Sequence, residues 1–269
     1  MKATEAKLLD FLKKSPQFVI PIYQRTYSWS EQQCRQLWDD IMRAGTNDGI
    51  SAHFIGSVVY IEKGLYQVSS QSPLLVIDGQ QRLTTTMLIL EALSRHLGDT
   101  EPLEGFSAKK LRNYYLLNPL EDGERAYKLL LTQTDKESLL ALVTQKPLPD
   151  DGSLRIQENF EFFNSQIERL NGELETLCRG LSKLIIVDIA LSRDQDNPQL
   201  IFESMNSTGK ADNIPDNEYH LALRKDNSNR VAEEAGNADP IVDNLFHCGG
   251  DNDDDYGSAN ESSTACTLH

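Results

Sequence analysis

Apolar residues recur every three or four positions in several stretches of the chain, which is the spacing of one face of an α-helix. The first stretch predicts a short amphipathic helix that ends before Pro16. Ser30 is a typical N-cap residue, and it precedes a helix through Leu37, Trp38 and Ile41 that we expect to give way to a loop at 45–49. The strongest predicted helix runs from Leu83 to Leu97, with one stripe formed by Leu83, Met87, Leu90 and Leu97.

Other stretches are rich in β-branched and aromatic residues and predict β-strands. The longest is HFIGSVVYIE at residues 53–62, and LIIVDIAL at 184–191 is the last one. Shorter strands are expected at 18–20, 66–68 and 74–77. These strands and the helices between them predict an α+β fold that is built on a small mixed sheet.

Residues 107–182, here called the helical subdomain, are predicted to be entirely helical and to be inserted between the last two strands. Their clearest signal is a stripe at steps of four, three, four and three, formed by Ile156, Phe160, Phe163, Ile167 and Leu170. The sequence therefore divides into a core at 1–106, the helical subdomain, and a last strand with a polar turn at 183–210. Beyond Lys210 the periodicity is lost, and residues 211–269 are expected to form a disordered acidic tail.

The excess of negative charge lies mostly in this tail. The net charge is −15, of which residues 211–269 carry −10. An acidic balance argues against a broad basic face for duplex DNA, because such binding neutralises phosphates, but it is compatible with a local basic cleft. The four cysteines contain no CxxC pair, so we expect a reduced, cytoplasmic protein without a zinc ribbon or a disulfide framework. No segment reaches the ~18 apolar residues of a membrane span, so no membrane association is expected.

The segment Asp78-Gly79-Gln80-Gln81-Arg82 lies between a predicted strand and the strongest predicted helix. A helix N-terminus favours an anion, Gly79 allows a ligand to approach the backbone, and Arg82 suits phosphate oxygens. Asp78 can hold Mg²⁺ or orient a water molecule, and Thr84 adds a hydroxyl in the first turns. The alternative is a capping box, with Asp78 as the N-cap and Gln81 as its partner.

Two further polar segments are candidate parts of a site. IPIYQRTYSW at 20–29 offers aromatic rings and Arg25 for a nucleobase and a phosphate, or else it is a loop whose rings pack on the core. FESMNSTGK at 202–210 ends in Gly-Lys but lacks the P-loop pattern, and a helix C-cap at Gly209 also explains it. Taken alone, each of these two segments favours the structural role.

Five segments occur in the order IPIYQRTYSW, LWDDI, HFIGSVV, VIDGQQRLTT and IFESMNSTGK. In this order they resemble the N-terminal domain family of GmrSD-type restriction endonucleases, whose core is similar to ParB and sulfiredoxin. The resemblance covers residues 5–210. It implies that the DGQQR segment handles a nucleotide, that IPIYQR lines the same cleft and that FESMNSTG closes it.

The resemblance also implies roles for individual residues of this chain. The implied catalytic residues are Asp78, Gln81 and Arg82, and Asp78 is also the implied metal ligand. The implied nucleotide-binding residues are Tyr23, Gln24, Arg25, Gly79, Gln80, Glu203, Asn206 and Gly209. Thr84 is added to them because its hydroxyl lies in the first turns of the predicted helix. The cofactors that go with these roles are a nucleoside triphosphate, either GTP or ATP, and Mg²⁺.

The function that the resemblance implies is that of an NTP-binding and NTP-hydrolysing sensor domain in a modification-dependent restriction protein of phage defence. Relatives couple NTP hydrolysis to a separate HNH-type nuclease domain, and modified phage DNA is the implied partner. Two alternatives stay open. One is a DNA- or partner-binding module without catalysis, and the other is a non-functional remnant of a disrupted gene.

After TGK the sequence departs from the family pattern. Relatives continue with a helix of the form DLIRN, whereas this chain reads ADNIPDNEYHLALRKDN. The chain also has no HNH-like pattern of His, Asn and His. We therefore expect that a frameshift or a premature end replaced the downstream region, and that this fragment has no nuclease activity.

Overall fold

The computed structural model describes residues 2–62 and 72–191. Its strands are β1 Lys2–Lys7, β2 Phe18–Val19, β3 His53–Glu62, β4 Leu74–Asp78, β5 Leu129–Leu130 and β6 Leu184–Leu191. They form one sheet in the order β1-β6-β3-β4-β2-β5. β1 runs antiparallel to β6, and β3 runs antiparallel to β4. The other neighbours are parallel, so the sheet is mixed, as the sequence predicts.

The described residues also form seven α-helices. These are α1 Leu8–Lys14, α2 Glu31–Thr46, α3 Gln80–His96, α4 Ala108–Leu111, α5 Gln133–Val143, α6 Leu154–Glu168 and α7 Glu175–Ser182. A π-helical turn at Arg112–Leu116 continues α4, and a 3₁₀ turn covers Gly123–Ala126. Ser30 is the N-cap of α2 and forms a capping box with Gln33, which confirms the predicted start of that helix.

The predicted strands at 53–62 and 184–191 have the observed bounds, and those at 18–20 and 74–77 are each within one residue. The strand expected at 66–68 lies outside the described residues. Two strands were not predicted. β1 has the polar sequence KATEAK, and β5 is a two-residue strand within the helical subdomain, so the expectation that this subdomain is entirely helical was wrong.

The two faces of the sheet pack differently, because alternate residues of a strand point to opposite sides. Leu74 and Val76 of β4 belong to the main core, which they share with the helices. Ile77 belongs to a smaller cluster on the other face, formed with Val59, Ile61 and Leu191. α3 lies in the main core and contacts α4, α6 and the π-helical turn, so the helical subdomain packs directly against it.

Helices α2 and α7 cross with their backbones in contact. A Cβ atom on Gly45 would lie 2.0 Å from the carbonyl oxygen of Thr176, and one on Gly180 would lie 2.0 Å from that of Ile41. The predicted loop at 45–49 was therefore wrong at its start, since Gly45 and Thr46 are helical. Gly45 serves here as the contact point of two helices rather than as a helix breaker.

The direction of the strands brings two of the candidate segments to one edge of the sheet. β2, β4 and β5 run parallel, so their carboxyl ends lie side by side. The IPIYQR segment follows β2, and Gly79 follows β4. In sheets with parallel strands, ligands commonly bind outside the carboxyl ends of the strands.

Candidate functional site

The centre of the site is the junction between β4 and α3. β4 ends at Asp78, Gly79 adopts a left-handed conformation with φ of 97°, and α3 begins at Gln80. A Cβ atom on Gly79 would lie 3.0 Å from both the Ser57 carbonyl oxygen and Cγ2 of Val58. The turn therefore requires glycine for two reasons, its positive φ and the close approach of β3.

The capping-box alternative for this segment is wrong. Asp78 is the last residue of β4, and the N-cap of α3 is Gly79. Arg82, and not Gln81, occupies the third position of the helix. Within the described part of the chain, no side chain caps α3. The first turn of this 17-residue helix thus combines a partial positive charge with N–H groups that no capping side chain occupies.

Arg82 is fixed against β3 by specific contacts. Its Nη2 donates to Oδ2 of Asp78 at 3.0 Å and to the Ser57 carbonyl at 2.9 Å. Its guanidinium lies against Gly56, where a Cβ atom would be 3.0 Å from Cζ. Gly56 has a φ of 110° and lies where the β3–β6 register shifts, so an irregularity in β3 makes room for the guanidinium. The side chains of Arg82 and Asp78 keep 12% and 31% of their surface exposed.

Gln81 points to a different side of α3 from Arg82. Its Oε1 accepts hydrogen bonds from the backbone N–H groups of Ser28 and Trp29 at 2.9 and 3.2 Å. Its Nε2 donates to the Thr26 carbonyl at 3.4 Å. The side chain is buried, so Gln81 connects α3 to the 26–29 segment instead of presenting its amide to solvent.

The IPIYQR segment divides into buried and exposed residues. Gln24 is buried, and its Nε2 donates to the carbonyls of Val76 and Ile77 at 2.7 and 2.9 Å. Tyr23 is half-exposed and lines a groove of about 410 Å³ whose lining does not include Asp78 or Arg82. Arg25 is exposed. Gln24 therefore supports the end of β4 through two backbone carbonyls, whereas Tyr23 lines this groove.

Gln80 and Thr84 share a third side of the first turns of α3, because residues four apart lie on one face of a helix. The two side chains are 4% and 0% exposed. Gln80 Nε2 and Thr84 Oγ1 are buried without a hydrogen-bond partner among the described residues. Buried polar atoms without a partner are uncommon and costly, so a polar ligand atom in contact with either would be favoured.

A buried polar cluster connects this turn to the helical subdomain. Tyr27 is at its centre, with its hydroxyl 2.7 Å from Oγ1 of Thr85 and its backbone N–H 2.6 Å from Oδ2 of Asp135. Asn159 of α6 donates to the Tyr27 hydroxyl and to the Trp29 carbonyl. Tyr27, Thr85, Asp135 and Asn159 are each at most 2% exposed.

Three of the residues that the sequence places in the site lie outside the described residues, namely Glu203, Asn206 and Gly209. In the described part of the chain, no cluster of three or more His, Cys, Asp or Glu residues can hold a metal ion. A metal at Asp78 would therefore need ligands from a bound phosphate as well as from the protein.

Sequence analysis did not find the residues that hold the turn in place. Gly56 carried a signal, because glycine inside a strand often marks a bulge or a close approach. Asp135 and Asn159 carried none, since each is a single polar residue within a helical pattern. Their contacts with Tyr27 join positions more than 100 residues apart.

The fold and the junction together define a class of protein, a mixed α/β domain with an arginine-flanked strand–glycine–helix turn at the carboxyl ends of its parallel strands. Residues 7–216 match the family described as the GmrSD restriction endonuclease N-terminal domain, and the chain belongs to that family. A comparison with curated proteins finds no match. None of the helices in the described ranges is long and apolar enough to cross a membrane.

Proposed function

We propose that this chain binds a nucleoside triphosphate at the β4–α3 junction and hydrolyses it, as the sensor domain of a modification-dependent restriction system. The observation that carries this proposal is the Arg82–Asp78 pair at the first turn of a helix that no side chain of the described residues caps. Such a turn favours phosphate through its N–H groups and its dipole. Membership of the restriction family supports the wider context.

The residues of the junction have separate roles in this proposal. Arg82 contacts phosphate oxygens, for which its planar guanidinium is suited, and the Gly79 turn lets a phosphate reach the backbone. Gln80 Nε2 and Thr84 Oγ1 have no partner among the described residues, and because both side chains are buried, a nucleotide would reach them only after a shift of the surrounding side chains. Gln81 and Gln24 hold the turn and β4 through backbone groups, so they act by position rather than by contact with the nucleotide.

Asp78 is the residue that we assign to hydrolysis. Mg²⁺ is usually bound by one or two carboxylates together with substrate phosphates, and a single partly exposed carboxylate beside a phosphate-binding turn fits that donor set. Mg²⁺ would supply neutralisation of phosphate charge there. Asp78 itself holds the ion or orients the attacking water, and it keeps the Arg82 guanidinium in place through their 3.0 Å contact.

The test is titration of the purified protein with GTP and with ATP in the presence of Mg²⁺, by calorimetry and by phosphate release. Arg82→Ala is expected to weaken binding roughly 10- to 150-fold, because a hydrogen bond to a charged group is worth about 1.5–3 kcal/mol. Arg155→Ala is the matched control, since Arg155 lies on the surface and pairs only with Glu158 in the described ion pairs.

Thermal melting of each variant shows whether the fold survives, because Arg82 also contacts β3. Arg82→Lys serves if the alanine variant melts early, since lysine keeps the charge but not the planar donor geometry. Unchanged affinity in a folded Arg82 variant would contradict the assignment. Binding without phosphate release would instead identify a non-catalytic binding module.

A further inference from the structure

We propose that Asn159 and Asp135 of the helical subdomain are positioning residues for the nucleotide site, acting on the first turn of α3 through Tyr27. The inference rests on the proposed function of that turn. In addition, the affinity of the site for nucleotide would depend on the positions of α5 and α6. The residues named here do not contact the nucleotide themselves.

The hydrogen bonds from α6 to α3 run in one direction. Thr85 Oγ1 donates to the Gln81 carbonyl at 2.8 Å, so its hydroxyl must accept from Tyr27 at 2.7 Å. The Tyr27 hydroxyl has then used its hydrogen and accepts from Nδ2 of Asn159 at 3.0 Å. This series of hydrogen bonds thus leads from the amide of Asn159, through the hydroxyls of Tyr27 and Thr85, to the backbone of the DGQQR segment.

A second route joins the same elements through the 26–29 segment. Asn159 Nδ2 also donates to the Trp29 carbonyl at 2.8 Å, and Gln81 Oε1 accepts from the N–H of Trp29. Asp135 of α5 accepts from the N–H of Tyr27 at 2.6 Å. Two helices of the subdomain therefore hold the backbone of 27–29, and that backbone holds the Gln81 side chain.

The cluster is too deeply buried for solvent to replace a lost partner. Each of its four side chains is at most 2% exposed, and buried hydrogen-bond networks are strong when complete and costly when one member is lost. Burial also raises the pKa of the Tyr27 phenol well above its ordinary value, so the hydroxyl remains protonated as a donor. The donor and the acceptor in each of these hydrogen bonds therefore stay the same at all ordinary pH values.

A displacement of α6 would break both hydrogen bonds of Asn159 and leave Asp135 of α5 as the contact that holds the 27–29 backbone. The Trp29 carbonyl would lose its partner, and the Gln81 carbonyl would lose its link to α6. Because coupling between two sites is reciprocal, a nucleotide that orders this turn must also favour the observed position of α6. The helical subdomain is then the part of the molecule that responds to nucleotide binding.

The experiment compares Tyr27→Phe and Asn159→Leu with two controls from the same region. Tyr115→Phe removes a hydroxyl from another buried tyrosine, and Asn164→Leu removes an amide from α6 that bonds to His96 and not to the cluster. The dissociation constant for GTP or ATP with Mg²⁺ is measured for each. It is expected to rise roughly 2- to 12-fold in the cluster variants, because one neutral hydrogen bond is worth about 0.5–1.5 kcal/mol.

Amide hydrogen exchange without nucleotide separates positioning from a general loss of stability. In Asn159→Leu, the amides of Ser28 and Trp29 should exchange faster, while those in the centre of α3 keep wild-type rates. Acceleration at every site would show a purely structural role and would overturn the inference. Tyr27→Phe is the milder variant and serves if Asn159→Leu does not fold.

The two proposals fail in different ways. If wild-type protein binds no nucleotide, the proposed function is overturned, and with it the role of this cluster in binding. If wild-type protein binds and the cluster variants bind equally well, only the positioning inference is overturned. Weaker binding in the cluster variants alone, with both controls unchanged, supports it.

Discussion

Asp78 and Gln81 belong to one short motif, yet their side chains have different surroundings. Asp78 is partly exposed and pairs with Arg82, whereas Gln81 is buried and held by the 26–29 segment. The Asp78 carboxylate can be reached by a ligand and can therefore take part in hydrolysis. The Gln81 amide is bonded to backbone groups and therefore holds the 26–29 segment against α3. We therefore expect substitutions at the two positions to have different effects on turnover.

The substitution Asp78→Asn is expected to separate nucleotide binding from hydrolysis. Asparagine has the same shape and still accepts from Arg82, so the dissociation constant should change little. The loss of the carboxylate should lower phosphate release roughly 100-fold or more, which is the usual scale for a proton-transferring or water-orienting group. Paired calorimetry and phosphate-release assays measure both quantities. Equal release rates would show that Asp78 has no part in turnover.

The buried carboxyl of Glu91 is expected to make the free energy of unfolding depend on pH. It is fully buried and accepts from Arg95 and Arg112 at 2.8 Å each, yet burial raises the pKa of its carboxyl above 4.5. The native state then holds more protons than the unfolded state. The contribution of Glu91 to stability is therefore full below pH 4.5 and is lost as pH rises through the raised pKa.

Urea unfolding of wild type and Glu91→Gln across the acid range measures this effect. The free energy of unfolding of wild type, relative to the variant, is expected to fall as pH rises from 4.5. Asp122→Asn replaces an exposed carboxylate by its amide in the same way and is the matched control. A difference that grows with pH would mean that the two arginines outweigh burial.

At the scale of single residues, the sequence predicted the position of the DGQQR turn and the residue types in it that suit a phosphate. It did not reveal what each side chain does there. Gln81 was expected to be a capping partner or a catalytic residue, but its partners are 52 and 53 residues away. Contacts at that separation depend on the packing of the whole domain, and no local pattern encodes them.

At the scale of elements, the crossing of α2 and α7 depends on two glycines. Gly180→Ala is expected to destabilise the protein by about 1–3 kcal/mol or more, which is typical of overpacking, because its Cβ would lie 2.0 Å from the Ile41 carbonyl oxygen. The better helix propensity of alanine, worth about 1 kcal/mol, does not offset such a clash. Chemical denaturation measures the change.

Gly49→Ala is the control for this prediction. Gly49 is exposed, and a Cβ atom there meets only the side-chain oxygen of Asn47. Its free energy of unfolding should stay close to that of wild type. If Gly180→Ala were as stable as wild type, α2 and α7 would have to move apart at no cost in free energy. The close crossing of these helices would then make no contribution to stability.

The elements that the sequence predicted well are those whose own residues determine them. β3 and β6 are long and rich in β-branched residues, and α6 has a clear helical stripe. β1 and β5 have no such signal. The polar β1 is a strand because it pairs with β6, and β5 consists of two leucines that pair with β2. Their strand state depends on partners that are distant in the sequence.

For the whole molecule, the family match ends at residue 216, and most of the negative charge lies after residue 210. We expect that deletion of residues 217–269 leaves the melting temperature and the nucleotide affinity unchanged. Calorimetry of the shortened and full-length chains is the direct comparison. A fall of several degrees on deletion would show that the acidic segment contributes to the fold, contrary to the prediction of disorder.

The order of the strands also has a consequence for synthesis on the ribosome. β6 lies between β1 and β3, although it is the last strand of the described chain to be made. Until residues 184–191 leave the exit tunnel, β1 lacks its neighbour among the described strands, and the ten-residue β3 lacks its partner along one edge. Bare edges are templates for pairing with other chains. A fragment released from a ribosome that stalls before β6 is therefore expected to be prone to aggregation. A nascent chain that ends before Leu191 does not complete the described sheet.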